Sequence, residues 1–198
     1  MKKFILMAAL VVATLSASAQ GAFIKPMAGG SLTKFTGSNI DDLKMKFGFV
    51  GGTELGYQFN DYLALTAGAL YTMQGGRIKN DYTKYNINVD YLNVPIMLAV
   101  YPVKGFGIKA GVQYGFLLKA KWGDNDFKDY CKKTDFSIPV GISYEFEETS
   151  VDLRYNFGVS NILKDNIGEM GGRFYNPPID EIKNALITLT IGYKIPLY

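Results

Sequence analysis

The carboxylates that could do acid–base chemistry cluster at one predicted turn, where Glu145, Glu147 and Glu148 are followed by Asp152. Two carboxylates across a hairpin can act as general acid and base, and the spacing allows Glu145 to face Asp152. The sequence contains no histidine, which excludes Ser-His-Asp and Cys-His catalysis and His-ligated metals. Carboxylates of this kind more often form ion pairs, and basic residues are available for that: Lys109, Lys119, Arg154 and Lys194.

An acidic run and a single cysteine do not form a metal, disulfide or catalytic site. The acidic run 124–129 resembles a calcium loop, but a lysine occupies the fifth position and no glycine the sixth, so the EF-hand match fails. Cys131 is the only cysteine, which excludes an intrachain disulfide and favours a structural or incidental residue. We therefore expect no catalytic residue, no cofactor and no metal site, and we predict that the chain is not an enzyme.

The elements that position these residues are predicted strands. Apolar and polar residues alternate with period two in segment after segment, which indicates strands with two unlike faces. No later segment has the ~18 consecutive apolar residues of a spanning helix. Eight strands are predicted, at 22–33, 46–59, 62–77, 87–101, 106–120, 135–147, 150–160 and 185–198.

The charged residues of these strands fall on the faces opposite the apolar ones. In a soluble protein those faces would meet water, whereas in a membrane barrel they would form a polar interior network and the apolar faces would meet lipid. Alternation alone does not decide between the two. The residues predicted for the polar face are Lys25, Glu54, Lys109, Lys119, Asp135, Glu145, Asp152, Arg154 and Lys194.

The predicted connections alternate between short and long. Short turns are predicted at 60–61, 102–105 and 147–149, and long connections at 34–45, 78–86, 121–134 and 161–184. Short turns on one side and long loops on the other are typical of outer-membrane barrels. We expect the long loops to carry partner contacts through residues at their tips: Trp122, Asp124, Asp126, Tyr130, Arg173, Phe174 and Tyr175.

The first nineteen residues read as an export signal. Lys2 and Lys3 precede an apolar run over 4–15, and Ala17-Ser18-Ala19 provides the small-residue cleavage pattern. The predicted division is a signal peptide at 1–19 and one barrel domain at 20–198. The two signal lysines account for most of the formal net charge of +3, so the charge gives no support for nucleic-acid binding. Aromatic residues around the short turns, such as Tyr57 and Tyr62, are predicted to form a periplasmic girdle.

Three segments together resemble a known family. YLNVPIMLAVY at 91–101, TDFSIPVGISYEF at 134–146 and VDLRYNFGVSNI at 151–162 are similar to the outer-membrane β-barrel domain of the porin-like, PorT-type family. The resemblance implies an all-β fold, an eight-stranded antiparallel up-and-down transmembrane β-barrel in the bacterial cell outer membrane. It implies no defined activity. Pro95 and Pro139 fall inside predicted strands, where we expect a β-bulge to accommodate each ring.

These observations support several hypotheses. The first is a small outer-membrane barrel with a structural or surface-interaction role, its interior plugged by side chains because eight strands enclose little space. The alternatives are a narrow passive pore for small solutes or ions, an accessory component of an outer-membrane secretion system, and a soluble periplasmic barrel that binds a lipid. The expected partners are outer-membrane lipid, the barrel-assembly machinery during biogenesis, and an unidentified surface or secretion-complex partner.

Overall fold

Eight long antiparallel strands form the molecule. The computed structural model describes residues 21–37, 43–80, 83–122, 125–126, 128, 131–161 and 182–197, so the predicted signal peptide lies outside the described residues. No described segment forms a helix with the length and apolar character needed to cross a membrane. The strands are β1 (Ala22–Gly37), β2 (Lys46–Asn60), β3 (Leu63–Asn80), β4 (Thr83–Val103), β5 (Phe106–Trp122), β6 (Thr134–Phe146), β7 (Thr149–Gly158) and β8 (Ile182–Tyr193).

The sheet closes on itself. Each strand pairs with its sequence neighbours in antiparallel register, and β8 returns to β1 through pairs that run from Met27↔Gly192 to Gly37↔Ile182. The chain end continues this closure, since the two-residue strand Ile195–Pro196 pairs with Phe23 and Ile24. The predicted fold class, an eight-stranded up-and-down barrel, is confirmed.

The two faces of the barrel wall have opposite character. On β5 the outward side chains Ile108 and Phe116 are 51% and 45% exposed, whereas the inward side chains Lys109 and Gln113 are 1% and 6% exposed. The same alternation holds on β7, where Leu153 points outward and Asp152 is fully buried. The apolar surface therefore faces out and the polar surface faces in, which is the arrangement that a lipid surrounding requires.

Several strands extend further than the alternation predicted. The connection predicted at 78–86 is wrong, because β3 continues to Asn80 and β4 begins at Thr83, with these two residues paired. Part of the connection predicted at 121–134 is also paired, since Asn125 and Asp126 lie opposite Trp122 and Lys121. Strands pair through backbone hydrogen bonds, so a strand can continue beyond the apolar outer surface with polar side chains. The polar composition of these strand ends was therefore read as a connection.

The strand prolines are accommodated without bulges. Pairing of β4 with β3 lapses beside Pro95, between Ala67↔Ile96 and Leu70↔Asn93, and resumes in the same register. Pairing of β6 with β5 lapses in the same way beside Pro139. The predicted bulges at these prolines are therefore wrong. Each ring removes a ladder hydrogen bond on one side only, and both prolines are fully buried.

Candidate functional site in the barrel interior

Five charged side chains from four strands meet inside the barrel. We call Lys25, Glu54, Lys109, Asp152 and Arg154 the interior charge cluster; they come from β1, β2, β5 and, for the last two, β7. Their side chains are at most 4% exposed. Asp152 and Arg154 are two residues apart on one strand and therefore point to the same side of the sheet.

Each carboxylate of the cluster holds more than one cation. Glu54 lies 2.5 Å from Arg154 Nη1 and 3.1 Å from Lys25 Nζ. Asp152 accepts hydrogen bonds from Lys25 at 3.1 Å and from Lys109, and Arg154 Nη2 lies 3.3 Å from the same carboxylate. Every charge faces at least one counter-charge, with three cations sharing two carboxylates, and this offsets part of the cost of burying the groups.

Glycines leave the space that the cluster fills. A Cβ atom on Gly68 would lie 2.9 Å from Glu54 Cγ, and one on Gly141 would lie 3.0 Å from Arg154 Cγ. Gly192 has the same relation to Lys25 Cγ, also at 3.0 Å. The interior is thus packed to van der Waals contact around the aliphatic parts of the charged side chains.

A second group lies nearer the short turns. Tyr101 donates a hydrogen bond to Glu145 at 2.6 Å, and Lys194 lies 3.1 Å from the other oxygen of that carboxylate. Lys194 also donates to Gln58 at 3.0 Å and sits 4.4 Å from the centroid of the Phe23 ring. These contacts join β1, β2, β4 and β6 to the segment that follows β8.

In its described part, the opposite half of the interior is polar with few charges. Asp135 accepts hydrogen bonds from Ser160 at 2.5 Å and from Asn184 at 3.1 Å. The side chains around it are almost entirely polar and leave no space for a water molecule between them: Gln74, Gln113, Asp135, Ser137, Asn156, Asn184 and Leu186.

Lys119 is the exception among the nine residues predicted to face inward. It is exposed on the outer surface, so that prediction is wrong. The register of β4 and β5 shifts between Asp90 and Tyr91, which leaves Leu118 as an extra residue and reverses the alternation beyond it. The other eight lie on the inner side, fully or partly buried.

The carboxylates proposed as an acid–base pair do not face each other. Glu145 lies opposite Ser150 and Asp152 lies opposite Ser143 in the β6–β7 register. Each carboxylate is instead bound to its own set of lysine, arginine or tyrosine side chains. These carboxylates form ion pairs and hydrogen bonds, as expected for carboxylates close to several basic residues.

The residues predicted at loop tips are described only in part. Asp126 is exposed, and Trp122 is the last residue of β5. The others lie outside the described residues: Asp124, Tyr130, Arg173, Phe174 and Tyr175.

Sequence reasoning missed the neutral partners of the charges. Tyr101, Gln58, Ser160 and Asn184 all contact predicted interior residues. The first three lie on predicted strands, so alternation could have found them. Asn184 was assigned to a long connection, and β8 in fact begins before it.

A closed eight-stranded barrel with an apolar exterior and a charged interior defines the class of small outer-membrane barrels. Residues 5–194 match the family model described as Outer membrane protein beta-barrel domain. The chain belongs to this family and is a protein of the bacterial outer membrane.

Solved structures share this fold at low sequence identity. One is Ail, the attachment invasion locus protein of Yersinia pestis, with 16% identity over 88% of this chain and 99% of that one and a TM-score of 0.54. Another is Neisserial surface protein A, with 17% identity over 89% and 99% and a TM-score of 0.53. No curated protein sequence matches the chain.

Proposed function

We propose that the protein is a small outer-membrane barrel with a structural or surface-interaction role, carried by the connections opposite the short turns. The interior charge cluster is the observation that supports this proposal. It joins four of the eight strands across the lumen, and its side chains pack against glycines in the wall. An interior filled in this way acts as a plug, so any function lies at the barrel ends.

The scaffold is compatible with a surface role. Loops over a rigid barrel can carry recognition residues, because they contribute little to the stability of the fold. Of two barrels with the same fold, one is named an attachment invasion locus protein and the other a surface protein. In our proposal the chain takes part in neither catalysis nor nucleic-acid binding, and its other partners are outer-membrane lipid and the machinery that inserts barrels.

A narrow pore is the second candidate, and the polar lining of one half of the interior is the observation that favours it. The half of the interior away from the short turns has polar walls without a dense set of ion pairs in its described part. A small solute or ion entering there would still meet the interior charge cluster. Conduction would require the cluster to open, which breaks several buried ion pairs at once.

A role as an accessory in secretion rests on the three PorT-like segments at 91–101, 134–146 and 151–162. The described residues of these segments alternate between the lipid-facing and the interior surface, so the resemblance reflects barrel construction as much as partner binding. Co-purification of the tagged protein with a secretion complex from native membranes tests this role.

Replacing residues 162–181 by a short turn tests the surface-interaction role. A strain that lacks the protein is complemented with the wild type or with this variant, and outer-membrane integrity and attachment are measured. We expect the variant to fold, as shown by heat-modifiable migration, and to leave the deletion phenotype uncorrected. Full correction by the folded variant would contradict a function carried by this connection. A six-residue insertion at 81–82 serves as the control for changes in another connection.

A further inference from the structure

Asp135 is a buried carboxylate that forms no ion pair in the part of the chain that the structure describes. It lies at the start of β6 and is 8% exposed. Its two oxygens accept hydrogen bonds from the hydroxyl of Ser160 and from the amide of Asn184, and both donors are neutral groups. Buried charges in proteins are paired or coordinate a metal ion, so Asp135 calls for a positively charged partner.

Three amide oxygens line the same part of the interior as Asp135. They belong to Gln74, Asn156 and Asn184, whose side chains are 3–4% exposed. None of the three oxygens accepts a hydrogen bond in the structure. Asn156 donates to the backbone oxygen of Leu186 at 3.3 Å, and Asn184 donates to Asp135 at 3.1 Å. These two amides are therefore oriented through their nitrogens, and their oxygens are left without a donor.

Neither a water molecule nor the nearby lysine satisfies these oxygens. The side chains leave no space for a water molecule between them. Lys46 lies on the inner side of β2, but its ammonium group donates to the backbone oxygen of Gln74 at 3.3 Å and to the side chain of Asn88. A bare cation needs less space than water, because its oxygen ligands lie about 2.3–2.6 Å away, against about 2.8 Å for a hydrogen bond between oxygens.

We propose that this half of the barrel interior binds a calcium ion through the carboxylate of Asp135 and the side-chain oxygens of Gln74, Asn156 and Asn184. Calcium takes carboxylate and amide oxygens in flexible geometry, whereas magnesium demands a near-ideal octahedron and keeps several of its waters. Since the site has no space for water, it selects calcium over magnesium.

The calcium site would join β3, β6, β7 and β8 in the half of the interior that lies away from the interior charge cluster. Its ligands are spread over four strands, so no motif in the sequence marks it. With a single carboxylate the site should be weak, with a Kd of about 0.1–1 mM, as in extracellular calcium modules. It lies inside the barrel wall and does not depend on the connections that carry the proposed surface role.

The experiment uses the refolded mature protein in neutral detergent micelles, after removal of metal ions with a chelator. Tb³⁺, which takes the oxygen ligands of Ca²⁺, is the luminescent probe, and it is excited through tyrosine. Tyr91 can sensitise it, because a Cβ atom on Gly115 would lie 3.2 Å from the Tyr91 ring and 3.4 Å from Asp135 Cβ. Displacement of Tb³⁺ by Ca²⁺ or by Mg²⁺ gives the affinity for each ion.

Three variants accompany the wild type. Asp135→Asn removes the charge and keeps the size of the side chain. Gln74→Glu adds a second carboxylate to the site. Asp126→Asn is the matched control, because Asp126 is an exposed carboxylate outside the barrel interior.

We expect Ca²⁺ to displace the probe from the wild type at least tenfold more effectively than Mg²⁺ does. Asp135→Asn should weaken calcium binding at least tenfold, and Gln74→Glu should tighten it about tenfold, because ligand charge sets the affinity of calcium sites. Asp126→Asn should bind as the wild type does. Calcium at about ten times its Kd should raise the midpoint temperature of the heat-induced gel shift by about 3–6 °C in the wild type.

Three results would overturn the proposal. Unchanged calcium affinity in folded Asp135→Asn would assign the ion to carboxylates elsewhere. Equal displacement by Ca²⁺ and Mg²⁺ would indicate binding at the hydrated surface. A midpoint temperature that millimolar Ca²⁺ does not change would show that the interior binds no calcium. If Asp135→Asn does not fold, Gln74→Glu decides, since calcium affinity no higher than that of the wild type would contradict the site.

Discussion

The guanidinium group of Arg154 on β7 lies 2.5 Å from the carboxylate of Glu54 on β2, across the lumen of the barrel. Both side chains are almost fully buried. This ion pair joins strands that are not neighbours in the sheet, so it braces the barrel from the inside in addition to the backbone ladder.

Substituting Arg154 by methionine should strongly destabilise the barrel. The change removes one cation from both Glu54 and Asp152, and loss of one partner of a buried ion pair typically costs about 3–5 kcal/mol. Urea unfolding of the protein in lipid vesicles, followed by the gel shift between folded and unfolded forms, measures the loss. Lys104→Met is the control and should change stability by less than about 0.5 kcal/mol. An equally small effect at Arg154 would show that the cluster does not brace the barrel.

Lys194→Met should have a smaller effect than Arg154→Met. Lys194 pairs with Glu145 at 3.1 Å, but these side chains are 21% and 15% exposed, so solvent screens the pair. We expect a loss of about 1 kcal/mol in the same unfolding measurement. If Lys194→Met proved as damaging as Arg154→Met, burial would not be what distinguishes the two groups.

Gly111→Ala should destabilise the wall where β4 and β5 pack closely. An added Cβ would lie 2.0 Å from the backbone oxygen of Ile96, which cannot move without shifting the strand. Overpacking of this kind costs roughly 1–3 kcal/mol. Gly30→Ala is the matched control, since its Cβ would meet only the Phe47 ring at 3.0 Å, and that exposed side chain can rotate away. The ratio of folded to unfolded protein after refolding should rank the two variants, and a reversed ranking would contradict this explanation.

Glu147→Gly should stabilise the protein by about 0.5–1 kcal/mol. Glu147 has a φ of 52° in the β6–β7 turn, a left-handed conformation that glycine adopts without the clash of a Cβ atom. Glu148→Gly is the control, because Glu148 is not among the described residues with positive φ and glycine there only adds freedom to the unfolded chain. A stabilisation at both positions, or at neither, would count against a strained backbone at Glu147.

The alternation of side chains predicted most of the fold and placed all five members of the interior charge cluster on the inner face. The inner face was assigned because period two fixes which face a residue takes once its strand is known, and this applies to Lys25, Glu54, Lys109, Asp152 and Arg154. Which cation meets which carboxylate could not be predicted in this way. Lys25 and Asp152 are 127 residues apart in sequence, and their meeting depends on barrel closure and strand stagger.

The errors have equally local causes. Lys119 was assigned to the wrong face because one bulged residue reverses the alternation, and no sequence signal marks that residue. The paired ends of β3 and β4, which meet at Asn80 and Thr83, were mistaken for a loop because their composition is polar. Pro95 and Pro139 were expected at bulges, whereas a lapse in pairing on one side of the strand is enough.

Single-channel recording from the pure refolded protein in a planar bilayer tests most directly whether the interior is plugged. A closed barrel whose lumen is crossed by the interior charge cluster should give no reproducible large conductance steps at protein concentrations where an open porin, used as the control, gives many. Glu54→Gln, which loosens the cluster, should add at most brief and small openings. Reproducible large steps from the wild type would contradict a plugged interior and would favour the pore.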